Sequence, residues 1–133
     1  MKIEEFAKKA ISVPFKPHGR SWDAWDCWGL GYMYYKEVKG ILLPTYNKDY
    51  KSVKDRELLQ QLFSEGIAQS WEAVEKAEPL DGIMYFSSGR TCHVGWAIDS
   101  KMMLHTEHGT GTTFERIDSL IRRVEGIYRY VGK

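Results

Sequence analysis

The sequence predicts an α+β fold in which an antiparallel β-sheet packs against an early helix. Three observations lead there. Over residues 1–40, apolar side chains recur at helical spacing, first Ile3, Phe6, Ala7 and Ala10, then Leu30, Met33, Tyr34 and Val38. From Gly82 onward the pattern changes to short runs rich in strand-favouring residues, broken by turn residues. Helices first and strands second imply α+β. With 133 residues the chain is long enough for one core and too short for two, so residues 1–133 are expected to form a single domain.

The elements follow in order. Met1 to Ile11 reads as a short amphipathic helix with Ile3, Phe6, Ala7 and Ala10 inward. A second helix is expected from about Cys27 to Val38, with Asp26 as N-cap, Lys36, Glu37 and Lys39 on the polar side, and Gly40 closing it. Pro44 begins an extended connection to about Ser52, and Leu58, Leu59, Leu62 and Phe63 suggest a short helix over 55–63. Residues 67–77 fit helix and strand equally. Pro79 ends that region, and strands are expected over 83–87, 92–98, 101–106, 112–115 and 126–131.

Composition narrows the function classes. A hydrophobic fraction of 43% and an aromatic fraction of 14% describe a well-folded globule. The net charge is +1, with basic residues spread among acids, so no basic face is offered to a nucleic acid. No stretch approaches the roughly 18 apolar residues of a membrane span, and the amino terminus lacks the apolar run of a signal peptide. Cytoplasmic synthesis without export signal or membrane insertion is expected. Both cysteines, Cys27 and Cys92, are expected to be thiols in that reducing compartment.

The chemistry concentrates in Asp26-Cys27-Trp28-Gly29-Leu30, in Cys92-His93-Val94-Gly95, and in His105. A thiol with an ordinary pKa near ~8.5 is mostly protonated at neutral pH, and the nucleophile is the thiolate. Two devices can lower that pKa here. Cys27 falls in the first turn of the second helix, where the positive end of the dipole favours an anion. An imidazolium beside the sulfur is the other device, and His93 on its strand is the candidate. Alternation then turns Cys92 to the opposite face, as a small packed residue. His105 lies on the following strand, beyond the turn Ile98-Asp99-Ser100-Lys101. In such a hairpin His93 and His105 can share a face, so that His105 orients His93 as the third member of a triad.

These residues resemble the NlpC family of papain-like cysteine endopeptidases. Its members carry Asp-Cys-Ser-Gly-Leu/Phe, then His-Val-Gly on a strand, then a third polar residue, often His. The likeness extends through Val13-Pro14-Phe15, Gly19-Arg20-Ser21, Tyr35-Lys36-Glu37 and Gly40 to Tyr46, and resembles the subgroup found in phage tails and prophages. Residues 13–50 and 82–106 carry it. The resemblance implies a papain-like core and hydrolysis of peptidoglycan stem peptides between D-γ-glutamate and the diamino acid. Cys27, His93 and His105 would be catalytic, and no cofactor or metal would be needed. Its partners would be the peptidoglycan peptide and other phage tail proteins, and its place the virion.

This chain departs from the family pattern at three points. Trp28 stands where many members have the Ser that helps shape the substrate pocket. Phe15 stands where many have a Tyr thought to assist the oxyanion, so the backbone amide of Cys27, with His18 or Arg20, would supply those hydrogen bonds. The family's Gly-Asp before the first core strand is reversed as Asp81-Gly82, read as turn chemistry. Asp26, Trp28, Phe15, Arg20 and His18 are thus the expected substrate contacts, Arg20 as a bidentate partner for a substrate carboxylate. Trp22, Trp25 and Trp28 could form an aromatic wall or belong to the core. Three alternatives compete: a non-catalytic tail component keeping the fold, a zinc site from Cys27, His93, His105 and His108, and a thiol acyltransferase. The cysteines and histidines lack a compact zinc signature, and the Cys-before-His order favours hydrolysis over transfer.

Overall fold

The computed structural model describes residues 1–43, 70–87, 91–118 and 122–132 of the 133. The extended connection from Pro44 and the helix expected over 55–63 lie outside them, as does the side chain of Cys92.

Helix α1 (Ile3–Ala10) carries Glu4 and Glu5 in its first turn and Lys8 and Lys9 in its last, which suits the helix dipole, and buries Phe6, Ala7 and Ala10. A two-residue hairpin follows, β1 (Arg20–Ser21) with β2 (Ala24–Trp25). Strands this short carry too few residues for alternation to register in the sequence. Helix α2 (Cys27–Lys39) starts where Asp26 accepts a hydrogen bond from the Gly29 amide. It ends at Gly40, whose φ of 68° is the left-handed C-cap conformation.

The remaining strands are β3 (Trp71–Val74), β4 (Gly82–Ser87), β5 (Thr91–Ala97), β6 (Met102–Glu107), β7 (Gly111–Arg116) and β8 (Arg122–Tyr130). They form one sheet in the order β3-β8-β4-β5-β6-β7, with every described pairing antiparallel. The ambiguous 67–77 region therefore contains a strand, fixed by the pairing of Trp71 with Tyr130. The last strand starts at Arg122 rather than 126, because Val124 pairs with Tyr85 as Ile127 pairs with Ile83. The register shift between Met84 and Tyr85, opposite Gly126, breaks the alternation that sequence reasoning relies on.

Alternation divides the core into two clusters. On one face Met84, Val94, Trp96 and Leu104 meet α1 and α2 through Phe6, Ala10, Leu30, Met33, Tyr34 and Tyr35. On the other, Ile83, Tyr85, Ala97, Met103 and Ile117 pack together. The first cluster is held by rings: Trp96 is wholly buried, edge-on to Trp28 and Tyr35, with Trp71 beside it. The Tyr34 hydroxyl donates to the Ala97 carbonyl at 3.0 Å, and that of Tyr35 donates to the Leu80 carbonyl. Burial pushes both phenols well above their ordinary pKa. The helical layer is therefore tied to the sheet by hydrogen bonds as well as by area.

Asp81 shows why its pair with Gly82 is a structural feature. Its carboxylate is buried and accepts from Arg129 Nε at 3.1 Å, Arg129 Nη2 at 2.9 Å and the Glu78 amide at 2.8 Å. This fastens the Pro79–Leu80 turn, where Leu80 has a φ of 78°, to β8. Arg129 is thus half of an ion pair. Asp81→Asn is expected to cost about 2 kcal/mol, the scale of a charge-assisted hydrogen bond lost from a partly buried site. Urea unfolding would show it as a lower midpoint at unchanged m-value.

Candidate active site

The cysteine is placed by its neighbours on both sides. Asp26 is fully buried, and its carboxylate collects three donors: the Gly29 amide at 2.8 Å, the His18 amide at 2.8 Å and Arg20 Nη1 at 2.8 Å. The Arg20 guanidinium also donates to the Gly19 carbonyl at 2.7 Å. The loop before β1 is therefore stitched to the first turn of α2. That close approach explains the motif glycine, since a Cβ on Gly29 would lie 2.0 Å from the Gly19 carbonyl oxygen. From the sheet side the Trp96 indole donates to the Cys27 carbonyl at 2.8 Å. Cys27 is the first residue of α2 and is fully buried.

The two histidines come together beside Tyr85. Val94 and Trp96 face α2, so alternation turns His93 toward the Tyr85 side of β5. Its ring stacks on Tyr85 at 5.5 Å between centroids and 19° between planes. His105 presents its ring edge-on to Tyr85 at 6.2 Å. Glu107 reaches both imidazoles: its Oε1 lies 3.6 Å from His93 Nε2 and its Oε2 lies 3.7 Å from His105 Nδ1. On β7, Glu115 Oε2 lies 3.6 Å from His105 Nε2, and Thr113 Oγ1 lies 3.4 Å from the same nitrogen.

The expected substrate contacts fall in several places. Asp26 and Arg20 form the buried pair just described, so the guanidinium read as a carboxylate receptor has an internal carboxylate as partner. His18 contributes its backbone amide to Asp26 and has a φ of 64°. Trp28 is 4% exposed, its ring edge-on to Trp71 and Trp96. Trp25 is likewise buried and Trp22 packs on it, so these three tryptophans belong to the core. Phe15 bridges to Trp25 and stands edge-on to His108, in the turn after β6, at 6.0 Å. Among the described residues, no group of three or more His, Cys, Asp or Glu side chains could hold a metal ion, and no helix is long and apolar enough to cross a membrane.

Sequence reasoning missed Tyr85, Glu107 and Glu115. The signal for Glu107 was present, because in His105-Thr106-Glu107 on a strand the first and third side chains share a face. Tyr85 and Glu115 required the registers that pair Tyr85 with His93 and Met103 with Glu115.

A six-stranded antiparallel sheet against a helix that begins with a cysteine, with two histidines on adjacent strands, defines the α+β fold class. Within that class the chain belongs to the NlpC/P60 family, whose model matches residues 12–123. Solved structures agree on the fold. The NlpC/P60 domain of the peptidoglycan hydrolase SagA matches with a TM-score of 0.63 at 20% identity, over 96% of this chain and 95% of that one. A lipoprotein-like NLP/P60 protein from Staphylococcus aureus gives a TM-score of 0.65 at 22% identity, over 98% of this chain and 41% of that one. An NlpC/P60 family protein from Bacillus cereus gives 0.65 at 20% identity, over 98% and 40%. This chain therefore spans less than half the length of the latter two. No curated protein sequence matches it at a level that marks a relative.

Proposed function

We propose that the protein is a cysteine endopeptidase that cuts the stem peptides of bacterial peptidoglycan, at the bond between D-γ-glutamate and the diamino acid, with Cys27, His93 and His105 as its catalytic residues. The observation that carries this reading is Cys27 at the first position of α2, capped by Asp26, in a member of the NlpC/P60 family. The helix N-terminus favours the thiolate, and the Cys27 backbone amide donates to the developing oxyanion. In the reaction the thiol proton passes to His93 and the sulfur attacks the scissile carbonyl. The C–N bond breaks as His93 protonates the leaving amine. Water, deprotonated by His93, then releases the thioester as a carboxylate. The motif likeness over residues 13–50 supports a place in a phage tail or prophage, with other tail proteins as partners and the virion as location.

A second reading is a tail component that keeps the fold without turnover. One observation favours it: Cys27 is fully buried. Phe15 adds to it, since its ring has no donor for an oxyanion. Alkylation of Cys27 by iodoacetamide against pH, in Cys92→Ser and in Cys92→Ser/His93→Gln, separates the two. The peptidase reading expects a thiolate plateau persisting below pH 7 that is lost without His93, and release of products from stem-peptide digests. Reaction following an ordinary thiol near ~8.5 in both proteins would leave the structural reading in its place.

A further inference from the structure

We propose that Glu107 is a positioning residue that holds and charges the His93 imidazole, bridging it to His105. The proposal rests on the peptidase reading and adds a residue to it.

The register of β5 with β6 pairs Trp96 with Leu104 and Ala97 with Met103. His93 and Glu107 lie beyond these pairs, at the same end of the two strands. Each Glu107 oxygen serves one ring, at 3.6 Å to His93 Nε2 and 3.7 Å to His105 Nδ1. Tyr85 lies flat against the His93 ring. One side chain therefore limits the tilt of the imidazole and the other fixes which edge is turned to the carboxylate.

With Nε2 directed at Glu107, the peptidase reading assigns the proton exchange with Cys27 to Nδ1. A carboxylate within this distance stabilises the protonated ring, the form that pairs with a thiolate. His105, beside both Glu107 and Glu115, holds Glu107 in place from its far side. Among the described residues Tyr85 from β4 and Glu107 from β6 stand beside His93, Glu107 joins it to His105, and Glu115 of β7 stands beside His105.

The test follows His93 directly by its imidazole NMR titration, alongside Cys27 alkylation and stem-peptide hydrolysis, in Cys92→Ser background. In Glu107→Gln the His93 midpoint is expected to fall by about one pH unit. The low-pH edge of Cys27 alkylation should rise, and kcat should drop about tenfold at similar KM. Glu115→Gln, at a carboxylate beside His105, should leave the His93 midpoint within about 0.3 unit. A folded Glu107→Gln protein with an unmoved His93 midpoint and an intact thiolate plateau would overturn the proposal while leaving the peptidase reading standing. A parent protein whose Cys27 reacts as an ordinary thiol overturns the reading itself, and the role of Glu107 with it.

Discussion

Gly31→Ala is expected to destabilise the domain by about 3 kcal/mol or more, at the upper end of overpacking substitutions. A Cβ at this position would lie 2.1 Å from both Cε2 and Cζ2 of Trp96. Two opposing effects have to be weighed. Alanine is the better helix former by about 1 kcal/mol, so the same change on an open face of α2 would stabilise. Here the indole cannot yield: it is wholly buried, its nitrogen is bonded to the Cys27 carbonyl, and Trp28, Tyr35 and Trp71 surround it. The clash therefore exceeds the propensity gain. Thermal unfolding should show a fall of about 10 °C for a domain of this size. Gly40→Ala is the comparison: nothing lies within 4 Å of its Cβ position and only the φ of 68° is unfavourable, so a loss nearer 1 kcal/mol is expected.

His93→Gln is expected to lower kcat/KM for stem-peptide hydrolysis by about 10³-fold, the middle of the range for loss of a general acid and base. That corresponds to about 4 kcal/mol of transition-state stabilisation. Glutamine is chosen over alanine because the ring stacks on Tyr85 in a nearly buried site, and truncation would open a cavity beside the second core cluster. Circular dichroism and the urea midpoint should stay close to those of the parent. A variant that hydrolyses the stem peptide as well as its parent would remove His93 from the reaction, and with it the triad proposed above.

The fold was largely legible in the sequence because its elements obey their own periods. Helix α2 could be bounded within a residue or so, since Asp26 and Gly40 do at its ends what those residue types do elsewhere. The core strands β4 to β7 were placed nearly as well, each being a short run flanked by turn residues. Asp99 in the β5–β6 turn is an example: it accepts from the Lys101 and Met102 amides at 2.8 Å each, which holds its carboxyl below the usual pKa. The start of β8 was lost to the register shift opposite Gly126. The β1–β2 hairpin is too short to leave a pattern.

The site was legible in its parts and less so in its assembly. Cys27 and the two histidines could be singled out by chemistry, and the shared face of His93 and His105 followed from the hairpin. What occupies the space between the rings did not, because a carboxylate on a strand reads as solvent-facing until its register is known. Arg20 and Asp26 illustrate the same gap. Either could be assigned to a ligand from sequence, and only the return of the chain through β1 and β2 shows that each is the other's partner.

The hydrogen bond from the Trp96 indole to the Cys27 carbonyl bears on how such a domain can change over evolutionary time. A helix held to its sheet by side-chain packing alone can slide by a fraction of a turn as packing residues are exchanged. Here the residue bearing the sulfur is referenced by a directed bond to one point on β5, and Gly31 leaves no room for the indole to swing. The domain is therefore more readily altered by remodelling the loops than by shifting α2, and a replacement at Trp96 disturbs the placement of the Cys27 sulfur from a distance.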